Sequence, residues 1–347
     1  MTEQRLPAEW EPQSGIMLTW PLADTDWGQT LTSVESVFVS ICAHTSPHEK
    51  VLIVAKDSTH QAHITSCITP LNPQLDNIIF AYANSDDSWA RDHGPITVVD
   101  PNNNPLLLDF QFNGWGEKHP HRLDNEINKE LFSQNIFSAP NRSIDFILEG
   151  GSIESDGKGT LLTTGCLLSE HRNSGWSQDE IEVELTRQLG VKQIHWLHHG
   201  HLIGDDTDAH IDTLARFVSP EKIAYVKCED SSDVHHQSLL DMEKELMQLK
   251  TIAGKPYELV PLPFPQAIFN DSGERLPATY ANFLIVNHGV LLPVYGQSTD
   301  QQAIDVLGSC FPDREIISIN CLPLIEQFGS LHCVTMQFPT TVHINGK

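Results

Sequence analysis

The stretch ITVVDPNNNPLLLDF, residues 96–110, decides the fold, because it places two apolar segments on either side of a Pro/Asn cluster. Such a cluster ends one strand and reverses the chain, so the stretch predicts a β-hairpin. The same form recurs along the sequence, and the first recurrence carries an Asp-Gly turn signal. The recurrences cover residues 152–164, 215–226 and 283–295.

Helical patterns lie between these hairpins. Residues 30–44 carry apolar side chains at helical spacing, Ser177 and Glu180 match a capping box, Asp300 precedes a helical segment as a candidate cap, and residues 231–250 form a further helix. The hairpin–helix alternation lacks the strict βαβ order of a doubly wound sheet. It predicts an α/β fold of repeated mixed units around a centre, and the absence of a Pro/Ser-rich linker favours one domain over residues 1–347.

The charge balance limits the classes of partner. The 347 residues include 21 Lys+Arg and 46 Asp+Glu, a formal net charge of −25. Nucleic-acid binding and anionic membranes both require clustered basic residues, and the sequence has no such cluster. Its apolar runs are far shorter than the roughly 18 residues of a membrane span. We therefore expect neither a nucleic acid nor a membrane as partner.

The cysteines and the N-terminal sequence concern the compartment. Seven cysteines are scattered along the sequence without a C-x-x-C pair. This pattern is typical of a protein with reduced cysteines, and it does not have the ligand spacing of a zinc knuckle. The segment MTEQRLPAEWEPQ has no apolar core of a secretory signal. These features favour a cytoplasmic location.

Several common catalytic motifs are missing. GWGEKH (114–119) and GKGTLL (157–162) begin like a dinucleotide-binding loop but lack its third glycine. The sequence contains neither a G-x-S-x-G elbow nor an H-E-x-x-H motif. Nucleotide-dependent, serine hydrolase and zincin interpretations therefore lose support.

Two carboxylates stand beside unusual neighbours. Asp92 follows Trp89 and Arg91 at the entry to a strand, although a solvated turn with a surface Arg91–Asp92 ion pair explains the same residues. Glu149 ends an apolar strand before two glycines, where backbone can approach closely; a simple Gly-Gly turn is the alternative. Both carboxylates are candidates for a functional site.

A histidine–aspartate pair lies in the polar segment 198–212. His210 and Asp212 are separated by one residue, so on a strand both would face the same way and could transfer protons. A metal site is the rival interpretation, because imidazole and carboxylate ligands from His199, His201, His210 and Asp212 suit hydrolytic metals. A solvated acidic loop is the third alternative.

Cys333 stands at the start of an apolar segment after Gly329-Ser330. A buried cysteine is more often a small hydrophobic residue than a nucleophile, and reactivity needs a nearby base or positive field. His332 is adjacent, but on a strand it would point to the opposite face. A base such as His210 would have to come from elsewhere in the fold.

Taken together, one thiol, one histidine and three carboxylates suit attack on a guanidinium carbon. The planar guanidinium presents forked N–H pairs, and each fork matches a carboxylate through charge-assisted hydrogen bonds. Two aspartates could hold and orient such a group.

The chain resembles the agmatine deiminase family, within the bacterial-type peptidyl-arginine deiminases of the guanidine-modifying pentein superfamily. The resemblance extends over nearly the whole chain, and the ordered occurrence of its motifs is more specific than any one of them. The motifs are LPAEWEPQSGIMLTWP (6–21), WARDHGP (89–95), FNGWG (112–116), EGGSIESDGKGTLLTT (149–164), DDTDAHIDTLARFV (205–218), YANFLIVNHGVLLPVYG (280–296) and GSLHCVTMQFP (329–339).

The resemblance implies a five-bladed α/β propeller of ββαβ-like units with the site in a central channel. It implies Cys333 as nucleophile, His210 as general acid and base, and Glu149 as the carboxylate that orients His210. It further implies that Asp92 and Asp212 bind the guanidinium. The remaining implied contacts are Trp89 along the substrate and Asn282 near the site; for the amine end the sequence suggests only Trp89 and Trp115.

The implied reaction converts agmatine to N-carbamoylputrescine and ammonia through a covalent thioether, without a metal or organic cofactor. Agmatine is preferred over free or peptidyl arginine because FNGWG lacks the basic residues that a substrate carboxylate would require, and because the acidic chain attracts cations. A metal-dependent amidohydrolase and a binding-only protein remain the alternatives. The general frequency of twofold assemblies favours a homodimer.

Overall fold

Five small mixed sheets repeat one connection pattern, in which an antiparallel strand pair is followed by a helix and a third strand parallel to its neighbour. The protein is described by a computed structural model covering residues 4–71 and 73–346. The strands are β1 (Gln13–Thr19), β2 (Lys50–Ala55), β3 (Ile78–Tyr82), β4 (Ile96–Val99), β5 (Pro105–Gln111), β6 (Asn141–Ile147), β7 (Ile153–Ser155), β8 (Thr160–Thr164), β9 (Gln193–Leu197), β10 (Ala215–Ser219), β11 (Lys222–Lys227), β12 (Glu258–Pro263), β13 (Ile268–Phe269), β14 (Arg275–Leu276), β15 (Leu284–Ile285), β16 (Gly289–Val294), β17 (Glu315–Asn320) and β18 (Thr335–Pro339).

The helices that connect or flank these strands are short. They are α1 (Leu31–Thr45), α2 (Ser58–Ile68), α3 (Ala90–His93), α4 (Gly114–Glu117), α5 (Ile127–Ser133), α6 (Gln178–Leu189), α7 (His236–Leu246), α8 (Thr299–Cys310) and α9 (Leu322–Ile325). Among the residues described, every helix is too short or too polar to cross a bilayer.

The four predicted hairpins are confirmed. They are the antiparallel pairs β4–β5, β7–β8, β10–β11 and β15–β16. Each second strand then pairs in parallel with a third strand, β6, β9, β12 or β17. The predicted α/β class and its ββαβ repeat are therefore both present.

The fifth sheet contains the first and the last of the described strands. Its order is β18-β1-β2-β3, with β18 antiparallel to β1 and both β2 and β3 in parallel register. Pairing of the last strand with the first brings the segment before β18, which holds Cys333, into the repeating pattern.

The predicted helices agree with the structure except at their ends. The capping box is present, because Ser177 and Glu180 satisfy each other's backbone N–H at the start of α6, and the left-handed Gly190 ends that helix. Asp300 was expected as a cap and is not one, since α8 begins at Thr299. Its carboxylate instead accepts hydrogen bonds from the Tyr280 hydroxyl and the Gln297 N–H.

Apolar residues of the strands form the interior. Two buried clusters divide the core, one around β1, β2, β10–β11 and β15–β16 and the other around β4–β9 and part of β18. All seven cysteines lie in the described part of the chain and are unpaired there.

Candidate active site

Six of the eight predicted site residues lie at equivalent places in the five repeats. Each precedes the first strand of a hairpin, or β18, by two to five residues. Because this position repeats, side chains far apart in sequence meet at one buried centre. They are Asp92 before β4, Glu149 before β7, His210 and Asp212 before β10, Asn282 before β15 and Cys333 before β18.

Cys333 is buried in a turn that ends before β18 begins. Its Sγ lies 3.3 Å from Nδ2 of Asn282 and 3.7 Å from Oδ2 of Asp212. Burial, and then the charges of Asp212 and Asp92, raise the pKa of the Cys333 thiol well above its ordinary value. The sulfur is therefore a neutral thiol at pH 7 in the ligand-free protein.

His210 lies between two carboxylates and is almost fully buried. Its Nδ1 is 3.6 Å from Oδ1 of Asp92, and its Nε2 is 3.5 Å from Oε2 of Glu149. Burial alone would lower the pKa of His210, but these carboxylates outweigh burial and raise that pKa to about 9. The imidazole consequently carries a proton at neutral pH and can donate it.

Glu149 is held by an arginine that the sequence analysis did not identify. Nε of Arg172 donates to Oε1 and Oε2 of Glu149 at 2.8 and 2.9 Å, and Nη1 donates to Asp208 at 2.7 Å. Burial opposes ionisation of Glu149, yet His210 and Arg172 overcome it and lower the pKa of Glu149. The only sequence signal for this arginine is that basic residues are scarce in the chain.

Asp92 accepts two hydrogen bonds. Oδ2 accepts the indole N–H of Trp115 at 2.9 Å, and Oδ1 accepts the backbone N–H of Gly151 at 2.9 Å. A Cβ on Gly151 would lie 2.7 Å from Nδ1 of His210, so glycine is required for this approach. Burial is the main cause of the raised pKa of Asp92.

Trp115 reaches Asp92 from a strained turn. The backbone of α4 is left-handed, with φ of 56° at Trp115 and 88° at Gly116. Left-handed backbone is unusual for a bulky residue, and such strain is frequent at functional sites. The flanking glycines in FNGWG adopt this conformation at no steric cost.

Asp212 has one bonded oxygen and one free oxygen. Oδ2 lies 2.8 Å from Nδ1 of His332, whereas Oδ1 is buried and has no hydrogen-bond partner among the described residues. Burial raises the pKa of Asp212, but the contact with His332 outweighs burial and lowers it. A buried ionised oxygen without a partner is suited to a cationic ligand.

A cleft reaches this centre from the surface. It encloses about 470 Å³ including its mouth, and Cys333 and Asp92 lie where it meets the buried centre. Its aromatic walls are Trp89, Trp115 and Phe328. Three further aspartates, Asp26, Asp87 and Asp206, line the cleft, and none of the lining residues is a lysine or arginine.

The comparisons with known proteins agree with this geometry. The model of the Porphyromonas-type peptidyl-arginine deiminase family matches residues 5–339. The chain belongs to this family.

Three relatives illustrate how far the likeness extends. A provisionally named agmatine deiminase of Marinomonas sp. is 32% identical over 96% of this chain and 94% of its own length. The structure of a provisionally named arginine deiminase from Porphyromonas gingivalis has a TM-score of 0.92 at 44% identity, covering 98% of this chain and 99% of its own. A cysteine-to-serine variant of C. jejuni agmatine deiminase with substrate bound has a TM-score of 0.89 at 34% identity, covering 99% and 97%. The predicted pentein-type fold is confirmed.

In this family member the alternative metal set is not assembled. His199 contacts Glu245 and His201 contacts Ser238, both on α7, with the two imidazoles exposed. His210 and Asp212 are instead buried beside Cys333. The hypothesis of one metal centre built from those four residues is therefore wrong.

His332 lies beside the predicted site residues although it was not assigned to the site, and its other ring nitrogen contacts Glu9. His332 was expected on the opposite face of a strand from Cys333. Both residues instead belong to the turn before β18, and both side chains approach Oδ2 of Asp212. Because a turn does not alternate its side chains as a strand does, the expected separation is lost.

Proposed function

We propose that this chain hydrolyses the guanidinium group of agmatine to N-carbamoylputrescine and ammonia, with Cys333 as nucleophile. One observation carries the proposal: a thiol, an imidazole and three carboxylates are buried together where an acidic cleft reaches the centre of the molecule. Buried titratable groups with strongly shifted pKa values in a cleft are typical of catalytic sites.

Asp92 and Asp212 are suited to bind the guanidinium. The free Oδ1 of Asp212 can accept its N–H groups. Asp92 lies at the same buried centre, where its Oδ1 is 3.6 Å from Nδ1 of His210. A guanidinium cation between the two aspartates would neutralise the charges that oppose ionisation of Cys333. Substrate binding would thereby lower the pKa of the thiol and generate the thiolate where it is needed.

Two chemical steps then follow. The Cys333 thiolate bonds to the guanidinium carbon, His210 donates its proton to one amino group, and the C–N bond breaks to release ammonia. The product of this step is an amidino-thioether. His210, now neutral, removes a proton from water, and the resulting hydroxide attacks the same carbon. The C–S bond then breaks to give the ureido product and the thiolate, while the hydroxyl proton of the adduct passes to solvent, where the released ammonia becomes ammonium. Glu149 stabilises the charged and correctly oriented form of His210.

The lining of the cleft favours agmatine as substrate. Agmatine carries a second cation and no carboxylate, and the cleft presents Asp26 and Asp87 beyond the catalytic centre, whereas Asp206 already pairs with Lys118 and His119. Trp89 and Trp115 can flank its methylene chain. The C. jejuni relative named agmatine deiminase is similar over almost the entire chain.

Arginine is the second candidate substrate, favoured by the 44% identity to a structure named arginine deiminase. Its carboxylate requires a cation, and Lys118, which contacts Asp206 of the cleft lining, is a basic residue near the rim. Nζ of Lys118 is already engaged by Asp208 at 2.8 Å and Asp206 at 3.5 Å. These contacts make agmatine the better match.

We also infer that residues 1–347 form one catalytic domain, since β18 and β1 share a sheet. Seven unpaired cysteines support a reducing compartment. The homodimer is proposed on the general frequency of twofold assemblies alone.

Product analysis tests the proposed function. Purified protein without added metal is incubated separately with agmatine, free arginine and a peptide containing arginine, beside the Cys333→Ala and Cys310→Ala variants. Ureido product from agmatine, retained by Cys310→Ala and lost by Cys333→Ala, is the expected result. Product mainly from arginine or the peptide would overturn the substrate assignment, and full turnover by Cys333→Ala would overturn the nucleophile.

A further inference from the structure

His332 is clamped between two carboxylates in the centre of the protein. Its Nδ1 lies 2.8 Å from Oδ2 of Asp212, and its Nε2 lies 2.7 Å from Oε2 of Glu9. Only 1% of its surface is exposed. Both ring nitrogens therefore face acceptors, with no room for water between them.

This geometry decides the protonation of the ring. An ionised carboxylate only accepts hydrogen bonds, so each ring nitrogen must donate one, and an imidazole that donates from both nitrogens is a cation. Burial opposes ionisation of Glu9, yet Arg216 and His332 outweigh it and keep the pKa of Glu9 well below its ordinary value. Glu9 is thus charged beside the ring, and the contact with the same ring lowers the pKa of Asp212.

Arginines stabilise Glu9 independently of His332. Nη2 of Arg216 donates to Oε2 of Glu9 at 2.8 Å, and Nε of Arg216 donates to Glu154 at 2.8 Å. Nη2 of Arg91 lies 3.8 Å from the same oxygen of Glu9. Asp212 has no hydrogen bond from an arginine: among the described residues its carboxylate oxygens accept a nitrogen donor only from His332, and Arg216 acts on Asp212 only through its charge.

The contact with His332 determines which oxygen of Asp212 is available to a ligand. His332 occupies Oδ2, the oxygen 3.7 Å from Sγ of Cys333, and Oδ1 remains without a partner. A cation on Oδ2 also reduces the repulsion between Asp212 and a thiolate on Cys333. The backbone N–H of His332 donates to Oδ1 of Asn282 at 2.8 Å, which fixes the turn that carries both residues.

We propose that His332 is a positioning residue, held as an imidazolium between Asp212 and Glu9, which leaves one oxygen of Asp212 free for the guanidinium. This inference rests on the proposed function and adds a residue to it. Glu9 and Arg216 anchor the far side of the ring.

Two amide variants separate the two hydrogen bonds. The amide nitrogen of asparagine can replace Nδ1, and that of glutamine can replace Nε2. His332→Asn therefore keeps a donor for Asp212, whereas His332→Gln keeps one for Glu9. We expect kcat/KM for agmatine to fall about 100-fold in His332→Gln and about 10-fold in His332→Asn, as for loss of hydrogen bonds to charged groups.

A purely structural role predicts a different outcome. Both variants would then lose stability, but His332→Gln would not lose more kcat/KM than His332→Asn. His195→Gln is the control, since His195 is buried and its Nε2 bonds the Lys250 carbonyl far from the cleft. Its kcat and KM should equal those of the wild type. Equal losses in the two His332 variants, or a greater loss in His332→Asn, would overturn the proposal.

Ring ¹⁵N NMR of the wild-type protein tests the protonation without using activity. The His332 signals are assigned by their absence from His332→Gln, and both nitrogens are expected to carry protons at pH 7. An unprotonated ring nitrogen would overturn the proposal even if agmatine is turned over. If the wild type converts none of the guanidines, the proposed function fails, and the NMR result alone decides whether His332 is a clamped cation.

A second cluster, away from the cleft, independently suggests a metal site. Nε2 of His63 lies 2.7 Å from Oε1 of Glu35 and 3.6 Å from Sγ of Cys67. The three ligand atoms all lie within 4.8 Å of one another. His63 and Cys67 are four residues apart on α2 and so share one face, while Glu35 is contributed by α1.

The donor set matches a borderline divalent cation such as Zn²⁺, which takes imidazole, thiolate and carboxylate ligands. Glu35 is buried and its Oε1 also accepts the indole N–H of Trp20 at 2.8 Å, an outer contact of the kind that orients metal ligands. The His63 side chain is half exposed, so an ion can enter.

We propose that Glu35, His63 and Cys67 bind one Zn²⁺ with a fourth position open to water. Titration of the full chain with Zn²⁺ against a chromophoric chelator should give one site, lost in Cys67→Ser and His63→Ala and kept in the thiol control Cys310→Ser. Co²⁺ should give a sulfur-to-metal absorption band that Cys67→Ser abolishes. Absence of a site in the wild type, or unchanged binding in Cys67→Ser, would refute it.

Discussion

The indole N–H of Trp115 donates to Oδ2 of Asp92 at 2.9 Å, from a backbone with φ of 56°. The strained turn thus delivers one hydrogen bond to one carboxylate oxygen. This arrangement fixes the direction of Asp92 relative to His210, which lies 3.6 Å from the other oxygen.

Trp115→Phe should therefore impair the reaction. The change keeps an aromatic wall but leaves Asp92 held only by the Gly151 N–H, and we expect kcat/KM for agmatine to fall by about tenfold, the effect of one lost hydrogen bond to a charged group. Trp196→Phe is the matched control, because Trp196 donates to Glu182 at 2.8 Å outside the site. Similar kinetics in both variants would contradict a role for this hydrogen bond.

The sequence predicted the parts of the molecule that depend on local patterns. Hairpins such as 96–110 follow from apolar segments and turn residues, and the site segments were recognised because Asp92, Glu149 and Cys333 stand beside glycine or tryptophan. These signals need no knowledge of distant contacts.

The partners of those residues could not be predicted in the same way. Glu9 and His332 are 323 positions apart, and Arg172 reaches Glu149 across 23 positions. Nothing local distinguishes a buried ion pair from a solvated one, since the distinction depends on how the repeats pack. His332 was misplaced for a related reason, because the strand begins at Thr335.

Alkylation of Cys333 should depend steeply on pH. Burial, with Asp212 and Asp92, raises the pKa of the thiol well above its ordinary value, and only the thiolate reacts. In the ligand-free protein the rate with iodoacetamide, followed at Cys333 by mass spectrometry, should rise about tenfold per pH unit through pH 9. A plateau between pH 7 and 8 would mean that a thiolate already exists without substrate.

Arg172→Gln should destabilise the fold as well as the site. The change leaves Glu149 buried and without its arginine, and breaking a buried ion pair in this way costs about 3–5 kcal/mol. Urea denaturation should show this loss, together with reduced kcat. Arg187→Gln removes the partly exposed pair between a half-exposed arginine and Glu184, whose carboxylate keeps its hydrogen bond from Gln188, and should change stability by about 1 kcal/mol or less. A similarly small effect at Arg172 would show that the ion pair between Arg172 and Glu149 is dispensable.

Gly329→Ala should displace Trp89, one of the aromatic walls of the cleft. A Cβ at Gly329 would lie 2.2 Å from Cζ3 and 2.4 Å from Cη2 of Trp89, closer than any real contact, so the indole must move. That indole is fixed on its other side, because its N–H donates to Asp87 at 3.0 Å and its ring packs on Trp27. The strain should therefore displace the wall of the cleft and lower kcat/KM for agmatine by about 100-fold, since small misplacements near reacting groups have effects of this size.

Gly308→Ala in α8 is the control, because its nearest neighbour would be 3.9 Å away and alanine favours a helix. Steady-state kinetics with a thermal melt of each variant separate the two effects, and a folded Gly329→Ala protein with wild-type kcat/KM would show that Trp89 does not shape the substrate path.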